Sequence, residues 1–224
     1  MHIPDGFIDL PTSGSVGLLA IAGTAVALKK ARTELDDRTA PMAGLTAVFI
    51  FAVQMLNFPV AAGTSGHLLG GALATVLVGP YAASLALTVV LGIQALLFAD
   101  GGLSALGLNV FNMSILGVFI SHICFIGAKK LLPKVRGSVP LAAAFAAFVS
   151  VPVAATGFSI QYAIGGTGTA PASTVFAAMF STHVLIGIGE ALITMLTVSA
   201  IIATRSDLVY GWNQTDVTLE VKRA

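Results

Sequence analysis

Seven apolar stretches, at about 14–31, 41–56, 66–79, 81–99, 108–127, 138–157 and 174–203, follow one another along the 224 residues, separated by Gly, Pro or charge. No other feature limits the fold as much. Only 9% of the residues are Asp, Glu, Lys or Arg, against roughly 25% in an average soluble domain, so most of the chain is suited to lipid. At about 20 residues per span, seven spans use about 140 positions and leave no room for a separate soluble domain. The pattern predicts an all-α integral membrane protein, a bundle of about seven transmembrane helices over 14–204. An outer N-terminal segment (1–13) precedes it and a cytoplasmic tail (205–224) follows. The third stretch, HLLGGALATVLVG, is too short to cross ~30 Å of hydrocarbon at ~1.5 Å per residue. It is expected to cross only in part, or to follow a loop that sits below the outer surface.

The basic residues predict the orientation. Lys29, Lys30, Arg32 and Arg38 follow the first stretch, Lys129, Lys130, Lys134 and Arg136 the fifth, and Arg205, Lys222 and Arg223 the seventh. With seven spans all of them fall on one side, the cytoplasm by the positive-inside rule. An even number of spans would divide them. The N-terminus is then outside, on a face with Asp5, Asp9 and Asp100 and no Lys or Arg, whose field attracts cations. The expected location is the cell (inner) membrane, crossed several times. A net charge of +1 gives no reason to expect a nucleic-acid partner. The single Cys124 cannot form an internal disulfide and is expected to pack as a small hydrophobe. The opening MHIPDGFIDLPTSG lacks the basic and long apolar regions of a signal peptide, so Met1 is expected to begin the mature chain.

Met1 and His2 offer a chelate if the α-amino group is free. The amine, the deprotonated His2 peptide nitrogen and the His2 imidazole would form two fused rings around one ion and leave one position of a square open. Square-planar nitrogen coordination suits Ni(II) or Cu(II) rather than Zn(II), Mg(II) or Ca(II). Read alone, His2 is simply a histidine at the start of an exposed terminus and carries no special meaning. GTSGHLLGG at 63–71 lies on the same outer side. There His67, flanked by Gly63 and Gly66, could meet an incoming N-terminal strand, with Asn57, Thr64 and Ser65 as outer hydrogen-bond partners that fix its tautomer. The alternative is a helix cap at Thr64 or Ser65 with an incidental histidine after it. Taken together, the two motifs make a four-nitrogen site a coherent joint reading, with Asp5 as a further outer-shell candidate.

Ionisable residues inside a membrane are costly. The last stretch carries His183 and Glu190, seven apart and so on one helix face. They read either as part of a cation path or hydrogen-bonded lock, or as a structural pair satisfied by Gln94 or Asn112. His122 lies near the cytoplasmic end and is expected to pack or snorkel. Gly23, Ala27 and Ala31, at i, i+4 and i+8, form a small-residue face, suited to internal packing or to a partner helix. Asp100 in FADGGLSALGLN (98–109) could present a carboxylate to the site, and GFSIQYAIGGTGTAP (157–171) reads as a lid or as an ordinary Gly-rich connection. The chain has no GxxxxGK[ST] phosphate loop, HExxH helix or GxSxG elbow, and no matching halves with broken helices. These absences suit a binding subunit driven by partner chains.

MHIPDGF at the start, NFPVAAGTSGHLLGG at 57–71, QALLFADGGLSALGLNVFNM at 94–113 and HVLIGIGE at 183–190 resemble the CbiM/NikM family. These are substrate-binding membrane (S) subunits of energy-coupling factor (ECF) ABC transporters for cobalt and nickel. The resemblance covers nearly the whole chain. It implies a seven-helix bundle with the N-terminal segment folded in from outside, and metal ligands at Met1, His2 and His67. It also implies partners: a transmembrane coupling (T) subunit, cytoplasmic ATPases and, in many cases, a small accessory membrane subunit. Ni(II) or Co(II) is then the transported substrate, and no organic cofactor is implied. Cobalt members often resemble MHIMEG and CSHPTG where this chain has MHIPDG and TSGHLL, so it looks closer to the nickel branch. A cobalt-specific subunit serving cobalamin synthesis is the near alternative. From other classes, the rivals are an intramembrane metalloenzyme built on His122, His183 and Glu190, and a passive metal channel. Vitamin-binding subunits of the same transporter class would have no use for a free terminus with histidine second.

Overall fold

The computed structural model describes residues 1–37, 39–60 and 64–212, without the side chains of Phe58 and Thr64. Seven helices form from the seven apolar stretches: α1 (Leu10–Ala31), α2 (Thr39–Gln54), α3 (Gly71–Val78), α4 (Pro80–Leu97), α5 (Leu106–Leu131), α6 (Ser138–Gly165) and α7 (Ala172–Arg205). Five of these are long and apolar enough to cross a membrane, and α2 is a shorter apolar helix. Large apolar side chains such as Leu18, Ile21, Leu96, Leu131, Leu185 and Leu192 stay exposed on the outside of the bundle. In water so much exposed apolar surface would drive association, whereas in lipid it is the solvated face. This is a multi-pass membrane protein.

Helix α1 starts at Leu10 rather than near 14. The Asp9 side chain accepts the Thr12 N–H at 2.9 Å, and a proline occupies the first turn, so the segment that reads as a turn also carries a helix cap. The short third helix is confirmed. All eight residues of α3 are buried, and its start is a loop in the protein interior, preceded by a hairpin pairing β1 (Phe58–Val60) with β2 (Thr64–Gly66). Gly79, at φ +87°, separates α3 from α4. The carbonyls that α3 leaves free are met by Tyr210 N–H to Leu77 O (3.1 Å) and Gly211 N–H to Val76 O (2.9 Å).

One end of the bundle collects cationic groups. There Lys30 donates to the Tyr81 hydroxyl (3.2 Å), Lys129 to Gly211 O (2.8 Å) and Arg136 to Ile202 O (2.7 Å), joining the ends of α1, α5 and α7 to the starts of α4 and α6. Arg38, Lys222 and Arg223, with most of the expected tail, lie outside the described residues. The opposite end holds the N-terminal segment. Helix α6 runs on to Gly165, so the stretch 157–171 is mostly helix, and only 166–171 connects α6 to α7. Gly23, Ala27 and Ala31 face inward. Ala27 and Ala31 are buried, and a Cβ at Gly23 would stand 2.9 Å from Ile115 Cδ1 of α5. Contacts inside this chain fill most of that face, which favours internal packing over a partner helix.

Candidate metal centre

Met1, His2, Ile3 and Ile8 are buried in the bundle because the surrounding loops and helix ends satisfy the backbone of the first nine residues. Ile3 N–H donates to Asn109 Oδ1 (2.8 Å), while Ile3 O accepts from Asn109 Nδ2 (3.2 Å) and Gly102 N–H (2.8 Å). In this way one side chain from α5 imitates a neighbouring strand. Further out, Asp5 Oδ1 accepts from both the backbone N–H and the hydroxyl of Ser104 (2.7 and 2.6 Å). Thr167 N–H reaches Phe7 O (3.2 Å), and Asp9 N–H reaches Gly165 O (2.7 Å). Phe7 stacks on Phe158 and tilts against Tyr162, at centroid distances of 5.9 and 5.1 Å. Met1, His2 and Ile3 end up 1%, 5% and 0% exposed, so the terminus is an interior group. Gly101 and Gly102 make this possible. A Cβ on Gly101 would press on Asn109 and on the His2 ring (3.0 and 3.1 Å), and one on Gly102 would collide with the Asp5 backbone nitrogen.

The His2 ring stacks on His67, 4.5 Å between centroids at 25°. Each imidazole has one nitrogen committed. His2 Nε2 lies 3.1 Å from the side-chain amide of Gln94, a group that can serve either tautomer of the ring. His67 Nδ1 lies 2.8 Å from the Leu68 carbonyl, which only accepts, so there Nδ1 carries the proton. The nitrogens left over, His2 Nδ1 and His67 Nε2, are buried and make no aligned hydrogen bond. A carboxylate stands beside the first of them, with Asp100 Oδ1 3.1 Å from His2 Nδ1, while Asn57 holds Asp100 Oδ2 at 2.8 Å. A carboxylate beside this nitrogen favours a cation there, whether a proton or a metal ion.

Burial controls protonation here. Removal of water takes the Met1 amino group well below the ordinary amine pKa, with the Asp100 charge opposing in part. Desolvation also lowers His2, and the charge of the terminus adds to this, against Asp100 and Gln94. For Asp100, desolvation pushes the carboxyl upward, but its contacts with His2 and Asn57 outweigh that and leave it below the usual range. The pocket therefore favours a neutral amine and a neutral imidazole next to an ionised carboxylate, the protonation states a metal ion requires.

Met1, His2 and His67 thus come together. Several expected neighbours fall elsewhere. Asn57 supports Asp100 and, through it, His2 rather than His67. His67 takes its tautomer from the Leu68 carbonyl. Ser65 lies on β2 opposite Pro59, and the Thr64 side chain lies outside the described residues. Asp5 is exposed and latches Ser104 instead of lining the centre. His183 and Glu190 are both buried on the inner face of α7, but Gln94 and Asn112 do not satisfy them. Gln94 serves His2, and Asn112 pairs with Gln161 at 2.8 and 2.9 Å. His183 Nδ1 donates to Met179 O (2.7 Å), while Glu190 accepts from the backbone that follows His67. His122 is half-buried on α5. Among the described residues no three His, Cys, Asp or Glu side chains are grouped to hold a metal, while the buried Met1 amine lies close enough to His2 and His67 to act on both electrostatically. The partners that sequence reading did not assign to the N-terminal segment are Gln94, Asn109 and the Gly101–Gly102 pair. Their signal was present as amide side chains in apolar helices and an adjoining GG.

Comparison with known proteins agrees with this architecture. The family model described as CbiM, cobalt uptake substrate-specific transmembrane region, matches residues 2–208. A candidate fused nickel transport protein, NikMN, of Archaeoglobus fulgidus is 39% identical over 93% of this chain and 68% of its own length. The cobalt transport protein CbiM of Roseiflexus is 31% identical over 90% of this chain and 82% of its own. A crystal structure of a truncated transition metal transporter superposes with a TM-score of 0.83 at 31% identity, covering 91% of this chain and 99% of that one. Fold and relatives define a multi-pass membrane protein of metal transport, a transporter rather than an enzyme. The chain belongs to the CbiM family, as the resemblance in its motifs implies.

Proposed function

We propose that this chain is the substrate-binding subunit of an ECF-type ABC importer and captures Ni(II) from outside the cell membrane. The ion would occupy a square of four nitrogens: the Met1 amine, the His2 peptide nitrogen, His2 Nδ1 and His67 Nε2. Covalent geometry selects Nδ1, because it closes a six-membered ring with the peptide nitrogen, beside the five-membered ring formed by the amine. The observation that carries the reading is the pairing of the two rings. Gln94 and the Leu68 carbonyl engage His2 Nε2 and His67 Nδ1, so that His67 Nε2 has no partner and His2 Nδ1 faces only the Asp100 carboxylate, and these are the two nitrogens the square needs. The cargo's double charge, less one for the ionised peptide nitrogen, is balanced by Asp100, and a buried charge needs such a partner.

Nickel is favoured over cobalt by MHIPDG and TSGHLL, and the A. fulgidus relative carries nickel in its name. The acidic end of the bundle faces outward and the basic end faces the cytoplasm, where a T subunit and ATPases dock, with or without a small accessory membrane subunit. Vesicles that contain this chain with those partners are expected to accumulate nickel only when ATP is supplied on the cytoplasmic side. Accumulation by this chain alone, down a gradient, would make it a channel.

Loading releases the peptide proton at every pH, so apparent affinity should fall about tenfold for each unit of acidification. It should fall more steeply below the depressed pKa values of the Met1 amine and His2. The metal-free protein should also lose stability in acid. Its folded state holds both groups neutral where the unfolded chain, with ordinary values near ~8 and ~6.5, takes up protons. That loss begins as the pH drops through about 8 and continues down to the lowered folded values. Nickel titrations and thermal unfolding across this range check both statements, and a flat binding profile would contradict the loss of the peptide proton.

A further inference from the structure

Helix α7 reaches into the metal loop. Glu190, 3% exposed in mid-helix, accepts Leu69 N–H at 2.6 Å through Oε2 and Gly70 N–H at 2.9 Å through Oε1. From the opposite side Gln54 of α2 donates to Leu69 O at 2.7 Å. The residue two places after His67 is therefore held at both its N–H and its carbonyl by buried side chains from two helices. Gly70 sits at φ +78°, and a Cβ there would approach Ile50 Cγ1 of α2 to 2.7 Å, so the loop is pressed against α2 as well. These two N–H groups lie at the start of α3, where a carboxylate is electrostatically favoured and its hydrogen bonds are charge-assisted. A carboxylate in the middle of a membrane bundle is expensive. For closing a loop alone, a serine or a neutral amide would cost less.

We propose that Glu190 is a positioning residue for His67. By gripping Leu69 and Gly70 from α7, with Gln54 gripping from α2, it fixes the loop so that His67 Nε2 stands at the fourth corner of the square. The proposal rests on the four-nitrogen reading above. The carboxylate touches no donor of the square and acts only through the backbone. Loss of the grip should therefore leave the three donors of Met1 and His2 in place and release only the fourth.

The test compares nickel-loaded wild-type protein with Glu190→Gln, Glu190→Asp, Gln54→Ala and His67→Ala, read by visible absorption and by nickel affinity after the helical circular dichroism of each has been checked. Glu190→Gln offers one accepting oxygen and turns an amide N–H toward the other donor. Its absorption band should move to longer wavelength, to the position found for His67→Ala, and its affinity should fall about tenfold to a hundredfold, the range for losing an outer-shell partner. Glu190→Asp keeps the charge and should restore most of the wild-type band. Gln54→Ala should shift the band in the same direction by less, and it carries the test together with Glu190→Asp if Glu190→Gln does not fold. A wild-type band in both Glu190→Gln and Gln54→Ala, alongside a shifted band in His67→Ala, would overturn the positioning role and leave the four-nitrogen reading standing. If His67→Ala itself has the wild-type band, the four-nitrogen reading fails first.

Discussion

A protein with one residue added ahead of Met1 is expected to lose nearly all of its nickel uptake. Met1 is 1% exposed and belongs to the same buried cluster as Ile3, Leu108, Met113 and Phe158. The added residue therefore has no space to occupy, and the amine is carried up to about 3.6 Å from its place. Burial cannot relax to admit it without displacing the Ile3 hydrogen bonds to Asn109 and Gly102. The consequence for binding is less simple. With histidine moved to third place, the terminus can close three chelate rings from its own amine and two peptide nitrogens and complete a square without His67. Nickel can then still bind to a terminus expelled from the bundle. Uptake should fall by more than about a hundredfold, beyond the range for outer-shell changes, and whatever nickel remains bound should be indifferent to His67. N-terminal acetylation removes the amine without supplying a substitute and should abolish both binding and uptake. Uptake that survives acetylation would contradict the chelate.

Replacement of His67 by alanine is the second large effect. The square loses its only donor from outside the terminus, and the ion keeps three nitrogens and takes water in the open corner. Affinity should fall by about two to three orders of magnitude, a ligand being worth more than the outer-shell partners that cost ten- to a hundredfold. Because the imidazole is buried and stacked on His2, the substitution also leaves a void, and the metal-free protein should lose about 2–3 kcal/mol. Calorimetric nickel binding and thermal unfolding separate the two effects. Full-strength binding by this variant would remove His67 from the centre.

The helices were legible from hydropathy because a lipid-facing helix needs an apolar residue at nearly every position, and α4, α5 and α7 lie within a few residues of the stretches that predict them. The edges were harder where polar residues serve the interior. GFSIQYAIG reads as a polar loop, yet Gln161 pairs with Asn112 inside the bundle and Tyr162 packs on Phe7, so α6 continues through it. At the centre, Met1 and His2 stand out as the proposed ligands because a terminal chelate lies in covalent spacing, and the structure stacks His67 on His2. Their supports could not be read from the sequence, because Asn57 near His67 in sequence belongs to Asp100, 43 residues on, and Glu190 reaches Leu69 from 121 residues away. Residues so far apart in the chain meet only once the bundle has closed. Even the basic end shows the same limit, since charge placement groups Lys129 and Arg136 on one side but does not give their acceptors, Gly211 after α7 and Ile202 near its end.

The most direct measurement is the electronic state of nickel in protein purified with its native N-terminus. A planar four-nitrogen field pairs the electrons of a d8 ion. The loaded protein should be yellow-orange and diamagnetic, with one nickel per chain, and that band should vanish when the amine is acetylated. A paramagnetic, weakly coloured nickel, or a band unchanged by acetylation, would place the ion on other donors.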